Sequence, residues 1–169
     1  MNSPARSQPR RRDGGRAPVE PAAAPAQPPR PFLDDYLAFL LAQASHRISG
    51  GFHREVESAG LSVTEWRVLA CLSDGAHETI GTLSALALVK QPTLSKVVQR
   101  MERQGLVARC GTTADKRQTL VMLTDEGRAV AERHVRRALA HQAAVLKPLG
   151  ARNARLLITA LRRLVELPR

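Results

Sequence analysis

The segment from Leu83 to Gly127 constrains the fold more than any other part of this chain. Within it, the apolar residues Leu94, Val97, Val98 and Met101 recur three and four positions apart. This spacing predicts a helix that buries one face and leaves the other to polar and basic side chains. The segment as a whole predicts a short helix, a tight connection, this second helix and then a basic hairpin.

Local signals set the limits of the two helices. Pro92 suits the first turn of the second helix, because the N–H that proline lacks would have no helical partner there. Gly105 is placed to end that helix. Thr82 can cap the preceding short helix, whose inward residues would be Leu83, Leu86 and Ala87. The sequence therefore predicts a helix-turn-helix over about residues 82–104.

Two extended runs follow, around Val107–Cys110 and Thr119–Leu123. The residues between them are polar and partly basic, and they are too many for a tight hairpin turn. Thr124 can then cap a long helix from about Asp125 to Leu146. A hairpin beside a helix-turn-helix is a wing, and we expect it over about residues 107–123.

The remaining helices flank this lobe. Apolar residues recur at helical spacing from Phe32 to Val56, and a last amphipathic helix is expected from about Arg152 to Glu166. Helices that are apolar over a wide arc need a partner. We therefore expect dimerisation helices over about 32–58 and 125–166, rather than one closed monomeric bundle. The predicted fold is mainly α-helical with a small β-hairpin wing, and the whole domain spans residues 32–167.

The N-terminal residues 1–31 differ in composition from the rest. They hold eight of the eleven prolines and six arginines against two acidic residues. Without an aliphatic pattern such a segment cannot bury enough surface to order itself, so we expect a disordered basic tail. The full chain has 26 Lys+Arg against 15 Asp+Glu, a net charge of +11, which favours a polyanionic partner.

Several classes of protein are not supported by the sequence. The two cysteines, Cys71 and Cys110, form no CxxC pair, so neither a cysteine zinc site nor a disulfide framework is expected. No apolar run reaches membrane-spanning length and no secretory signal is recognisable, so we expect a cytoplasmic protein. No catalytic series, phosphate loop or paired carboxylates can be assigned, so neither an enzyme nor a cofactor is predicted.

The outer face of the second helix carries side chains suited to the major groove of DNA. Glutamine can pair with adenine, arginine or lysine with guanine, and threonine can contact a thymine methyl or a phosphate. The free N–H groups of the first turn also favour phosphates. The candidate DNA-binding residues on this helix are Gln91, Pro92, Thr93, Ser95, Lys96, Gln99 and Arg100.

The hairpin adds a second set of candidates. Lys116 and Arg117 lie at or near its tip, and a guanidinium on a narrow ribbon can enter a minor groove. Asp115 can hold Arg117 through a bidentate pair. Arg109, at the base of the hairpin, is a candidate phosphate contact. A solvated polar loop is the alternative, above all for Lys116.

These motifs together resemble the MarR-type winged helix-turn-helix transcriptional regulators. The matching blocks are QPTLSKVVQRMERQGLVAR from Gln91, DKR from Asp115 and LTDEG from Leu123, and the resemblance extends over nearly all of residues 32–167. It implies a homodimer that reads a pseudo-palindromic operator in double-stranded DNA. It also implies a repressor, less often an activator, that a small aromatic or phenolic ligand releases. Lys90 departs from the pattern, because many relatives have a short polar helix cap at that position.

The resemblance also implies a ligand crevice between the dimerisation helices and the DNA-binding lobe. The candidate lining residues are Tyr36, His46, Arg47, His53 and Trp66, with Arg47 or a histidine for a carboxylate and the aromatic residues for a ring. Core packing of Trp66 and a place for Tyr36 in the dimer seam are the alternatives. For the whole chain, the alternative is a basic architectural protein that binds DNA with little sequence preference.

Overall fold

The computed structural model describes residues 31–111 and 119–168, and it divides the chain into two units, Met1–Tyr36 and Leu37–Arg169. In the first unit, α1 (Phe32–Asp35) is a single turn, and the rings of Phe32 and Tyr36 stack with centroids 4.9 Å apart. Tyr36 has an extended backbone, with φ −79° and ψ 105°. The helix expected over 32–58 is therefore divided at Tyr36, which the apolar spacing on either side of that residue did not reveal.

The second unit is mostly helical with a small sheet. The bounds of its elements are α2 Leu37–Ser58, α3 Val63–Leu72, β1 Glu78–Thr79, α4 Ile80–Leu86, α5 Gln91–Arg103, β2 Val107–Gly111, β3 Thr119–Leu123, α6 Asp125–Leu146 and α7 Gly150–Val165. Helices α2 and α3 precede a helix-turn-helix made by α4 and α5, and the long helix α6 and the last helix α7 follow the sheet. A short 3₁₀ helix, Lys147–Leu149, joins α6 to α7.

The sheet confirms the hairpin and adds a strand to it. Strands β2 and β3 are antiparallel, with Val107 opposite Leu123 and Gly111 opposite Thr119. The strand order is β1-β3-β2, so the two-residue β1 completes a three-stranded antiparallel sheet. The cap of α4 also differs from expectation: Thr79, not Thr82, caps it, and the Thr79 hydroxyl accepts a hydrogen bond from the Thr82 N–H at 3.1 Å.

The core fixes α5 against the rest of the lobe. Leu94, Val98 and Met101 are fully buried, and Val97 packs against them while only partly buried. This confirms the apolar stripe that the sequence predicts. The stripe belongs to a cluster that includes fully buried residues from α2, α3, α4 and β3: Val56, Val68, Leu69, Leu72, Leu83 and Val121. Burial of apolar surface stabilises the folded state by about 25 cal/mol per Å², so this buried face holds α5 in the lobe.

The start of α6 is tied to the end of α5. The Thr124 hydroxyl donates to the carbonyl of Gly105 at 2.6 Å and accepts from the Gly127 N–H at 3.0 Å. The Thr124 N–H donates to the carbonyl of Leu106 at 3.2 Å. A Cβ on Gly127 would overlap that same carbonyl oxygen. This explains the glycine of the LTDEG block, because only glycine allows α6 to approach the Leu106 carbonyl so closely.

Large apolar side chains remain exposed on the outer helices of the second unit. On α7 they are Leu156, Leu157, Leu164 and Val165, and on α2 they are Leu37, Leu40, Leu41 and Ile48. Of the helices in the described residues, none has both the length and the apolar character to cross a membrane.

Candidate functional site

The connection between α4 and α5 is a tight turn held by its own backbone. The Ala87 N–H donates to the Leu83 carbonyl at 2.8 Å, and the Val89 N–H donates to the Ser84 carbonyl at 3.1 Å. The Ser84 hydroxyl returns a bond to the Val89 carbonyl at 2.6 Å. Leu88 adopts φ +55°, a left-handed conformation that costs a non-glycine residue about 1–2 kcal/mol. These bonds fix the direction in which α5 leaves α4.

Lys90 caps α5 through its backbone alone. Its carbonyl accepts hydrogen bonds from the N–H groups of Thr93 and Leu94, each at 3.0 Å, and its side chain makes no cap bond. Lys90 stands where the resemblance implies a short polar cap residue, but the backbone hydrogen bonds that start α5 are still formed. An ammonium group stands there in place of a capping oxygen, which increases the positive charge at the N-terminus of α5.

The outer ridge of α5 is accessible. We use that name for the exposed residues Gln91, Pro92, Thr93, Ser95, Lys96 and Gln99. Among them, the Ser95 hydroxyl donates to the Gln91 carbonyl at 3.0 Å. A shallow depression of about 520 Å³ runs along this side of the helix and is lined by Pro92, Thr93, Lys96, Val97, Arg100 and Arg103.

Arg100 is held by the protein itself. Its Nε donates to Oε1 of Glu65 at 2.9 Å, and its Nη2 lies 3.4 Å from the Ser62 hydroxyl oxygen. The Glu65 side chain is 4% exposed, whereas that of Arg100 is 48% exposed. A base contact by Arg100 stays a prediction. In this structure the guanidinium instead connects α5 to the start of α3.

Glu65 belongs to a capping box at Ser62-Val63-Thr64-Glu65, which starts α3. Its Oε2 accepts from the Ser62 N–H and from the Ser62 hydroxyl, both at 2.8 Å. Burial raises the pKa of Glu65, but the hydrogen bonds from Ser62 and Arg100 and the positive charge of Arg100 outweigh it. The net pKa lies below the ordinary glutamate value, so the group is ionised at neutral pH.

Two further arginines lie near the outer ridge of α5. Arg103 lies one turn beyond Gln99 and lines the depression, although it is not among the DNA-binding candidates named from the sequence. It follows Lys96 by seven residues, and this helical spacing, which places both side chains on one face of α5, could have identified it. Arg109, expected at a phosphate, is exposed and pairs with Glu102, with 3.2 Å between Nε and Oε2. Asp115, Lys116 and Arg117, the predicted residues of the wing tip, lie outside the described residues.

Three consecutive residues of α3 contact three different helices. Glu65 holds α5 through Arg100. Arg67 holds the end of α4, because its Nη1 donates to the Ala87 carbonyl at 3.1 Å. Trp66, between them, packs edge-on against Phe52 of α2, with ring centroids 5.3 Å apart.

Trp66 also lines a cavity of about 340 Å³ between α2, α3, α6 and α7, which we call the aromatic cavity. His141 of α6 closes one side, with one ring nitrogen, Nε2, 2.8 Å from the Ile48 carbonyl and its ring 5.8 Å from that of Phe52. Polar atoms come from Ser49, His53 and Gln142. The full lining is Ile48, Ser49, Phe52, His53, Trp66, Ala138, His141, Gln142, Val145, Leu146, Leu157, Ile158 and Leu161.

The cavity includes two of the five ligand residues that the resemblance implies. Trp66 and His53 line it, whereas His46 and Arg47 are exposed on α2 and do not. Tyr36 belongs to the first unit and is described there. Phe52 and His141 were missed, because their proximity depends on how α2 and α6 pack. With no Arg or Lys in its lining, the cavity suits an apolar ring with a hydroxyl or amide better than a carboxylate.

Comparison with known proteins gives the family. The family model described as the MarR family matches residues 59–118. The homoprotocatechuate degradative operon repressor of Escherichia coli is 31% identical over 101 residues, which are 60% of this chain and 68% of the repressor. Curated relatives match over 56% to 68% of their own length, so for some of them less than two thirds is spanned.

Solved structures agree over a longer part of the chain. A MarR family transcriptional regulator from Silicibacter pomeroyi DSS-3 is 39% identical, with a TM-score of 0.72 over 81% of this chain and 98% of that one. The structure of NadR in complex with 4-hydroxyphenylacetate shares the fold at 23% identity, with a TM-score of 0.71 over 86% of this chain and all of that one. The chain belongs to the MarR family of transcriptional regulators.

Proposed function

We propose that this chain binds operator DNA by placing α5 in the major groove. The observation that carries this proposal is the division of α5: its apolar face is fully buried, while its outer ridge is exposed. Helix N-termini and the side chains of the ridge are the groups that position a recognition helix on phosphates and bases. The net charge of +11 supports attraction to DNA. Such a protein would act at the nucleoid.

A competition assay separates this function from architectural binding. Fragments selected from the host genome by the full-length protein would be labelled and competed with random duplex. A sequence-specific regulator prefers its operator by about 10³-fold or more, whereas an architectural protein shows a ratio near one. A ratio near one for every selected fragment would reject operator binding and favour the alternative.

We propose further that the protein works as a homodimer. The exposed leucines of α2 and α7 form apolar faces that a second copy of the chain can cover. A two-fold dimer presents two recognition helices about 34–36 Å apart, one turn of DNA, which requires a pseudo-palindromic operator. The E. coli relative is named as a repressor, and we extend that role to this chain.

The aromatic cavity is our proposed effector site, for a small aromatic or phenolic molecule. Its ring-bearing walls, formed by Phe52, Trp66 and His141, match a planar apolar ligand, and Ser49 and Gln142 supply polar contacts. A ligand there lies against α3, whose first turn holds both helices of the helix-turn-helix. Release of DNA would follow from a shift of that turn.

Trp66 is the only tryptophan of the chain, so its fluorescence reports on the cavity directly. We expect phenolic compounds to change this fluorescence, to raise the melting temperature, and to weaken operator binding over the same concentration range. Filling the cavity by Ala138→Phe should abolish all three responses. Titrations that change neither stability nor operator affinity would reject the effector site while leaving operator binding in place.

A further inference from the structure

A second cavity, which we call the basic cavity, shares no residue with the aromatic one. It has a volume of about 350 Å³ and lies between the turn after α2, the residue before β2 and one side of α6. Its lining is Ala59, Leu61, Leu106, Val130, Arg133, His134 and Arg137. Four apolar side chains thus combine with two guanidinium groups and an imidazole.

His134 in the wall of this cavity has an unfilled hydrogen-bonding group. The residue is 5% exposed, and its Nδ1 lies 2.9 Å from the Val130 carbonyl oxygen. Since a carbonyl only accepts, Nδ1 carries the proton, and Nε2 of the neutral ring is an acceptor. Nε2 is buried and has no partner in the described residues. A buried acceptor without a partner is unfavourable, and a ligand group that donates to it would remove that penalty.

The two arginines provide positive charge beside this histidine. Arg133 and Arg137 are one turn apart on α6, so their side chains lie on the same face of the helix. Arg137 Nη1 is 3.4 Å from Oε1 of Glu55, a residue outside the lining. Arg133 has no ion pair within the part of the chain that the structure describes. The cavity therefore keeps an uncompensated guanidinium next to an apolar floor.

We propose that the basic cavity is a second ligand site, for a small organic acid. Its carboxylate would pair with Arg133 and Arg137, a hydroxyl or N–H group would donate to His134, and its apolar body would lie on Leu61 and Val130. The four apolar lining residues favour an organic acid over an inorganic anion. The chemistry complements that of the aromatic cavity, which holds no cation in its lining.

The position of Leu106 gives this site a connection to the DNA-binding elements. The Leu106 N–H donates to the carbonyl of Met101 in α5 at 2.9 Å, and its carbonyl accepts from Thr124 at the start of α6. A ligand packed on Leu106 would therefore contact the junction of the recognition helix and the wing.

Calorimetric titration of the full-length protein without DNA tests the site. The probes are 4-hydroxyphenylacetate and its uncharged amide. We expect Arg133→Gln to weaken binding of the acid at least about tenfold, as loss of a charge-assisted pair does, and to leave binding of the amide unchanged. Arg136→Gln is the matched control, because Arg136 is an exposed neighbour on α6 that lines neither cavity. It should leave the acid's affinity unaltered.

In the comparison of variants and probes, four outcomes overturn the proposal. They are equal losses for Arg133→Gln and Arg136→Gln, an equal loss for acid and amide, no binding of the acid at millimolar concentration, and loss of acid binding in His53→Leu but not in Arg133→Gln. The last would place the acid in the aromatic cavity. Competition by inorganic phosphate as effective as by the acid would likewise reject an organic ligand. Since no DNA is present, these results are independent of operator binding.

Discussion

Glu65 accepts three hydrogen bonds on one buried carboxylate, two from Ser62 and one from Arg100. Removing one partner of a buried charge leaves that charge unsatisfied, which costs more than the lost contact. The exposure of Arg100 reduces this cost, since solvent replaces part of its pairing. Arg100 is therefore first a residue that holds α5 against α3.

Arg100→Ala should lower the free energy of unfolding by about 1–3 kcal/mol, because a charge-assisted hydrogen bond to Glu65 is lost. Gln99→Ala is the control, because Gln99 directly precedes Arg100 on the same helix and forms no hydrogen bond with Glu65 or Ser62. It should change the free energy of unfolding by less than about 0.5 kcal/mol. Urea unfolding of both variants measures the difference. Equal stabilities would show that the Arg100–Glu65 pair contributes nothing to the lobe.

Acid should weaken the same contact. The pKa of Glu65 is lowered in the folded protein, so its contribution to stability is present in full above the unfolded value of about 4.3. The contribution is lost as the pH falls from there through the lower folded pKa. Unfolding free energies measured from pH 6 to pH 3 should therefore fall more steeply for the wild type than for Glu65→Gln. Parallel curves would contradict the lowered pKa.

Gly127→Ala should destabilise the lobe by about 1–3 kcal/mol or more, because the new methyl group overlaps the Leu106 carbonyl. The control is Gly111→Ala, where a Cβ would meet no atom of the described residues within 4 Å. Thermal unfolding of the two variants gives the comparison. A Gly127→Ala protein as stable as the control would mean that α6 can move away from the wing at no cost.

At the scale of elements, α5 combines side chains with separate roles on one exposed ridge. Lys96 offers a point charge, whereas Gln99 offers paired donor and acceptor groups. If Lys96 meets a phosphate, Lys96→Ala should weaken binding to all sequences and lower the slope of log K against log salt by about 1. Gln99→Ala should instead reduce discrimination at one or two base pairs, by about 1–3 kcal/mol.

Fluorescence anisotropy with the operator, with single-base variants and with random duplex measures both effects. Identical losses for Lys96→Ala and Gln99→Ala on specific and random DNA would reject the assigned roles.

Most elements could be predicted from the sequence, because helical periodicity extends over many residues and turn residues stand at its limits. The stripe ending at Met101 and the capping box at Ser62 are local patterns of this kind. Strand β1 could not be predicted, since two residues carry no alternation and gain their structure from pairing with β3. The cap at Thr79 was missed for the same reason, as Thr79 is the last residue of β1.

The site was less predictable than the fold. The exposure of the outer ridge follows from the position of the apolar stripe and needs only one helix. The partner of Arg100 lies 35 residues away in the sequence, so only the packing of α3 on α5 reveals it. The aromatic cavity likewise depends on His141 reaching α2, a contact across 93 residues. The family resemblance, which suggested His46, contains no information about such contacts in this chain.

At the scale of the whole molecule, the exposed leucines of α7 predict assembly. Leu164→Glu places a charge in the proposed apolar interface and should weaken dimerisation by about 2 kcal/mol or more. Thr159→Glu, an exposed position on the same helix, is the control for added charge. Light scattering after size exclusion gives the molar mass, and operator binding should weaken in parallel. A Leu164→Glu protein that remains dimeric would remove α7 from the interface.

One turn of α3 joins a ligand-sized chamber to both helices of the helix-turn-helix. Trp66 stands in the chamber wall, and its chain neighbours Glu65 and Arg67 hold α5 and α4 by hydrogen bonds of 2.9 and 3.1 Å. If an occupant displaces the indole, we expect both helices to move together. In the proposed dimer, the distance between the two copies of α5 would then change without any hinge loop and without unfolding of a segment.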